Sequence, residues 1–136
     1  MKNFDVSDLI GKPFAEDSTG PDAYDCWGLV TEVARRAGIS FPDINRPVGL
    51  EKWDDLCDEF LGRDFRRIER PEPFAIVAIK LAIHWHAGIV LPDTFHFVHV
   101  TDGHRVNIQS VGSRLWTPFI EGFYRYVHGD VHTQPV

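Results

Sequence analysis

Cys26, His86 and His99 are the residues whose types and spacing suit nucleophilic attack on an amide carbonyl. A thiol attacks as thiolate, an imidazole within hydrogen-bond reach takes its proton, and a third polar group fixes that imidazole's ring and tautomer. Cys26 follows Asp25, a good N-cap type, and Leu29, Val30, Val33, Ala34 and Ala37 then recur at three- and four-residue spacing. The thiol therefore sits in the first turn of a helix, where unpaired N–H groups and the positive end of the dipole favour an anion. The same position also suits a small buried apolar cysteine, and the helix alone leaves both readings open.

The histidines need strands to hold them. Ile83 to Leu91 reads as a strand with His84, His86, Gly88 and Val90 on one face and Trp85, Ala87, Ile89 and Leu91 on the other. Pro92-Asp93-Thr94 turns the chain, and Phe95 to Val100 returns with Phe95, Phe97 and His99 on one side. Pro92 does not take the positive φ that tight two-residue hairpins require, which predicts a loop of about four residues. That register puts His99 opposite Gly88 and diagonal to His86, roughly 7–8 Å away between backbones, a span two imidazoles bridge. His96 falls on the other face, and His104, His128 and His132 fall in turns and tail.

The remaining elements follow from periodicity and punctuation. Phe4 to Phe14 reads as a short helical turn with Val6, Leu9 and Ile10 on one side. Ala15 to Ala23 is a loop broken most sharply at Gly20-Pro21. The Cys26 helix stops at Gly38, before Pro42, and a second helix spans Val48 to Leu61 with Trp53, Leu56, Cys57, Phe60 and Leu61 as its apolar stripe. Cys57 is thus a packing residue. From Asp64 the periodicity turns toward strands, with Phe65 and Ile68 in an element ended by Pro71 and Pro73, and strands follow at Phe74 to Ile79, Arg105 to Ile108 and Phe119 to Val127, with a helical turn at Ser113 to Trp116 and a polar tail from His128. Helices first, then an antiparallel sheet of about five or six strands, is an α+β plan.

Composition narrows the partners. The 136 residues, 43% of them hydrophobic, suit one domain over residues 1–136 with a single core. A formal charge of −6 offers no basic footprint for nucleic acid or anionic membranes. Two cysteines give neither a disulfide framework nor a Cys-x-x-Cys metal site. No apolar signal core or membrane-length run is present, so the expectation is synthesis in the cytoplasm and delivery to any outside substrate by a particle or by lysis.

The run Gly20-Pro21-Asp22-Ala23-Tyr24-Asp25-Cys26-Trp27-Gly28-Leu29-Val30, with His86-Ala87-Gly88-Ile89-Val90-Leu91, Phe97-Val98-His99-Val100 and the closing Gly122-Phe123-Tyr124-Arg125, resembles the NlpC-type family of cell-wall cysteine peptidases. Trp27, together with Leu9-Ile10-Gly11-Lys12-Pro13, is similar to the branch found among bacteriophage tail and tail-assembly proteins. The resemblance implies a papain-like fold, with the nucleophile helix packed on the antiparallel sheet. It implies hydrolysis of an amide in peptidoglycan stem peptides without a cofactor, and phage tail proteins as further partners.

Carried over residue by residue, Cys26 matches the nucleophile, His86 the base and His99 the third polar residue. Tyr24 and Asp25 match positions that line the pocket in some members, and with Trp27 they form the candidate substrate-binding set; Asp25 serves equally as the helix cap. Pro73-Phe74-Ala75 stands where the family usually has Gly-Asp, so the turn into that strand is expected to differ. Two readings stand beside the peptidase. One is an inactive tail-assembly or wall-binding module of the same fold. The other is a zinc-dependent hydrolase using Cys26, His84, His86 and His99.

Overall fold

In the computed structural model, residues 4–42, 50–82 and 84–127 are described. The first helix, α1, runs Cys26–Arg36. Asp25 caps it, accepting the Gly28 N–H at 2.6 Å. Leu29, Val30, Val33 and Ala34 are wholly buried, as their spacing predicts. Ala37 is instead the C-cap and half-buried. Burying each of the larger side chains stabilises the fold by roughly 1.5–3 kcal/mol relative to leaving it exposed. Arg36 pairs with Glu32 within α1 at 2.8 Å and ties the helix to the N-terminal segment through Asp8 at 2.6 Å. The second helix, α2, spans Leu50–Arg63. Its predicted start at Val48 lies outside the described residues, as does Ile83 at the predicted start of the next-but-one strand. Trp53, Cys57 and Leu61 are buried and Leu56 is half-buried.

Six strands follow: β1 (Phe65–Ile68), β2 (Ile76–Leu81), β3 (His84–Val90), β4 (His96–His99), β5 (Asn107–Ser110) and β6 (Ile120–Tyr126). They form one antiparallel sheet in the order β1-β6-β2-β3-β4-β5. Alternation along the strands separates two apolar clusters. Ile76, Ala78, Ala87, Ile89 and Val98 join the helices' buried residues. Val77, Ile79, Val90 and Phe97 form the second, flanked by Trp116, Ile120 and Phe123. A helix layer on an antiparallel sheet is the α+β, papain-like arrangement expected.

Several boundaries differ from expectation for local reasons. Residues 7–11 form turns rather than helix, so Val6 and Leu9 are buried while Ile10 is 42% exposed. The strand expected from Phe74 starts at Ile76, because Phe74 adopts a left-handed φ of 66° and its ring meets Phe4 edge-on at 5.0 Å. Arg105 and Val106 are drawn out of the meander: Arg105 bridges Pro13, and Val106 exchanges backbone bonds with Gly11 and Lys12. β5 therefore begins at Asn107, two residues later than expected. The turn expected at Ser113 to Trp116 leads into a 3-10 turn, Thr117–Phe119.

Candidate active site

The loop before α1 delivers Cys26. Tyr24 exchanges backbone bonds with Pro13 and Ala15, and the Asp25 N–H donates to the Ser18 carbonyl at 2.9 Å. That carbonyl lies so close over Gly28 that a Cβ there would collide with it. The loop is thus seated on the first helical turn. Cys26 is the first residue of that turn and half-buried, against the helix-side cluster. The α1 helix lies against β3, the strand that carries His86. Cys57 is buried, and desolvation pushes its thiol far above the range in which thiolate forms near neutrality.

The three candidate substrate-binding residues have different surroundings. Tyr24 is 3% and Asp25 6% exposed, and the Asp25 carboxylate is engaged as the cap. Trp27 is 1% exposed. Its indole stacks on Phe41 at 5.8 Å and meets Phe65 edge-on at 6.3 Å. In this structure Trp27 is core, holding α1 on the fold.

The two histidines come together as the hairpin register requires. Ile89 pairs Val98 and Val90 pairs Phe97, while the Leu91 N–H donates to the His96 carbonyl at 2.8 Å. The loop between is the four residues Pro92 to Phe95, and the same register continues to Gly88 and His99. A Cβ on Gly88 would stand 3.0 Å from the Val98 carbonyl and 3.2 Å from the His99 Cβ, tight enough that any side chain there would push the two strands apart by a few tenths of an ångström. His86 Nε2 and His99 Nδ1 are 3.0 Å apart. Both rings are buried, and desolvation pushes His86 down from 6.5 to about 3 and His99 to about 4. The charge of His99 adds to the fall at His86, and the Asn107 hydrogen bond opposes the fall at His99. Both imidazoles are therefore neutral near pH 7. With Nε2 of His86 engaged, Nδ1 is the ring nitrogen left to accept a proton.

Three residues that the sequence reading did not single out complete the surroundings. Asn107 pairs His99 across β4 and β5, with its Oδ1 3.2 Å from His99 Nε2. Gln109 donates to that same Oδ1 at 2.7 Å. Trp116 packs edge-on against His99. Asn107 was discoverable from the meander, since it falls opposite His99 once the turn after Val100 is closed. Trp116 arrives from an irregular segment that offers no such pattern.

The other histidines have separate partners. His84 Nδ1 is 2.7 Å from Asp54 Oδ2, and the second oxygen of that carboxylate accepts the Trp85 N–H at 2.8 Å. His96 pairs with Asp93 at 2.6 Å, and His104 lies 3.1 Å from the Asp102 carbonyl. His128 and His132 lie outside the described residues. Among the described residues no group of three or more His, Cys, Asp or Glu side chains is arranged to hold a metal ion, which gives the four-ligand zinc reading no support.

Comparison with solved structures bears on the fold. A Staphylococcus aureus protein described as similar to a lipoprotein of the NLP/P60 family aligns with a TM-score of 0.58 at 21% identity, over 88% of this chain and 38% of its own. An NlpC/P60 family protein from Bacillus cereus aligns with a TM-score of 0.61 at 15% identity, over 87% and 36%. This chain thus spans little more than a third of either. The NlpC/p60 domain of the peptidoglycan hydrolase SagA aligns with a TM-score of 0.54 at 17% identity, over 86% of this chain and 88% of that one. No curated protein sequence matches the chain. The NlpC/P60 family model matches residues 11–125, a span that takes in the Cys26 helix start, the His86 strand and the His99 strand, and on that match the chain belongs to the NlpC/P60 family.

Proposed function

We propose that this chain is a cysteine peptidase or amidase that hydrolyses an amide bond in peptidoglycan stem peptides, with Cys26 as nucleophile, His86 as base and His99 as the group that orients it. The observation that carries the reading is the 3.0 Å bond between His86 Nε2 and His99 Nδ1, because it commits one nitrogen of the base to an orienting partner and leaves Nδ1 as the nitrogen to accept a proton. The family assignment supports a cell-wall substrate. The Cys26 sulfur attacks the amide carbonyl carbon while its proton passes to His86 Nδ1, and the oxyanion takes the Cys26 backbone N–H at the helix start. The carbon–nitrogen bond breaks as His86 returns the proton to the leaving amine, giving a thioester. Water then loses a proton to His86, attacks the thioester carbonyl and releases the acid and the thiol. A neutral imidazole is the form that accepts the first proton. The resemblance of Trp27 and the segment Leu9-Ile10-Gly11-Lys12-Pro13 to the phage-tail branch supports phage-tail association.

Incubation with purified muropeptides followed by mass spectrometry tests the reading. New products lacking one amide bond are expected from the wild type, none from Cys26→Ala, and EDTA is expected to leave the rate unchanged. Equal turnover by Cys26→Ala would end the thiol mechanism, and loss of activity in EDTA would revive the metal one.

A further inference from the structure

We infer that Asn107 is a positioning residue that sets the tautomers of both histidines, so that Nδ1 is the bare, proton-accepting nitrogen of His86. The inference rests on the thiol reading above and adds to it a fourth residue and a direction for every proton in the chain.

The derivation starts at a backbone carbonyl. The Asn107 Nδ2 donates to the Arg105 carbonyl at 2.8 Å, and a carbonyl only accepts. The amide is thereby held one way round, with Oδ1 turned toward the sheet's other polar groups. Gln109 Nε2 donates to this Oδ1 at 2.7 Å, and His99 Nε2 stands 3.2 Å from it. An amide oxygen offers lone pairs and no proton. The proton between the two must therefore sit on His99 Nε2, and neutral His99 is bare at Nδ1. Bare Nδ1 lies 3.0 Å from His86 Nε2, so His86 carries its proton on Nε2 in turn. The only unprotonated nitrogen left on His86 is Nδ1. Each step follows from one acceptor-only atom, and the whole sequence of donors runs from strand β3 across β4 to β5. His99 is 1% exposed, so water does not compete with Asn107 and His86 for its two ring nitrogens.

Replacing Asn107 by leucine removes the oxygen and lets His99 take either tautomer. Replacing it by aspartate does something more specific. A carboxylate beside Nε2 favours imidazolium at His99, whose Nδ1 then carries a proton that it donates to His86 Nε2. Neutral His86 is forced to keep its own proton on Nδ1, where it blocks the thiol. The aspartate variant is therefore expected to be inactive at neutral pH and to recover as pH rises past the new pKa of His99. A merely structural defect would not recover in this way.

Long-range proton–nitrogen correlation spectra of the full chain, labelled with 15N in histidine, read the tautomers directly. The wild type near pH 7 is expected to show protonated Nε2 and bare Nδ1 at both His86 and His99. Asn107→Leu is expected to mix the His99 signals and to slow both muropeptide hydrolysis and Cys26 alkylation at least about tenfold, with circular dichroism unchanged. Asn107→Asp is expected to lose rate at pH 7 and regain it at higher pH. A wild-type His99 protonated on Nδ1 overturns the inference without further variants, as do Asn107→Leu spectra and rates equal to the wild type. If the wild type cleaves no muropeptide, the tautomer signals and the alkylation rate still decide the matter, so failure of the proposed function is distinguishable from failure of the relay.

Discussion

Trp116 meets His99 edge to face, with ring centroids 4.5 Å apart and planes at 86°. The half-buried indole covers an imidazole that is itself 1% exposed, and this cover is one source of the desolvation that keeps His99 neutral. Trp116→Ala is predicted to let water reach His99, moving its pKa upward toward the ordinary 6.5. The acid limb of the pH–rate profile should shift to higher pH, and the fold should lose roughly 1–3 kcal/mol, less than the ~3–5 of a fully buried aromatic. An unchanged acid limb in a folded variant would remove Trp116 from the account.

Thiol reactivity separates the two cysteines. Cys26 combines a helix start with a candidate base, whereas Cys57 is 3% exposed and driven toward the neutral thiol by burial. Iodoacetamide near neutral pH, with peptide mapping, is predicted to modify Cys26 at least about tenfold faster. Faster labelling of Cys57 would count heavily against Cys26 as nucleophile.

The histidines should differ in severity. His86→Ala removes the proposed proton acceptor and is predicted to leave almost no single-turnover cleavage, while His99→Gln keeps a hydrogen-bonding partner and should leave measurable activity. His84, which pairs with Asp54, should be the mildest of the three. Equal inactivity of His84→Ala, His86→Ala and His99→Gln, with folding confirmed, would replace the triad by a three-histidine site.

Burial of two neutral imidazoles also makes stability depend on pH. Their folded pKa values, about 3 and about 4, lie below the ordinary 6.5, so the unfolded chain binds more protons between these limits. The contribution is fully present above 6.5 and is lost as pH falls toward the folded values, at up to about 1.4 kcal/mol per pH unit for each ring. Urea unfolding at pH 7, 6 and 5 should show falling stability, with a shallower decline in His99→Gln. A wild type equally stable at pH 7 and 5 would contradict the neutral buried pair.

Much of this site is legible in the chain because its parts are locally encoded. Asp25, Cys26 and the stripe from Leu29 to Ala34 announce a capped helix within ten residues, and Pro92 sets the loop length that aligns His86 with His99. Asn107 lies within the strand expected from Arg105 to Ile108 and opposite His99, so the meander carries its position too, whereas the pairing of Pro13 and Lys12 with Arg105 and Val106, which delays β5 by two residues, spans more than ninety positions and no local pattern announces it. Phe74 was misplaced for a related reason. Its backbone is left-handed and its ring meets Phe4 near the start of the chain, and a strand propensity read from Phe74 to Ile79 carries no sign of either. Trp27 reads from sequence as a neighbour of the nucleophile, yet its face of α1 turns to Phe41 and Phe65. Proximity along a helix is not proximity at the site.

The hairpin loop from Pro92 to Phe95 makes no contact with the chemistry, yet its length is part of it. Side chains alternate with a period of two, so one residue added or removed there would turn His99 to the helix side of the sheet and bring Val98 or Val100 to the place beside His86. Asp93 anchors the loop by accepting the Phe95 and His96 N–H groups at 2.8 and 3.0 Å. Substitutions in this loop and insertions in it are therefore different kinds of event for a lineage carrying this chain. An exchange of an exposed side chain there leaves the register in place, while a change of residue count moves His99 off the face it shares with His86.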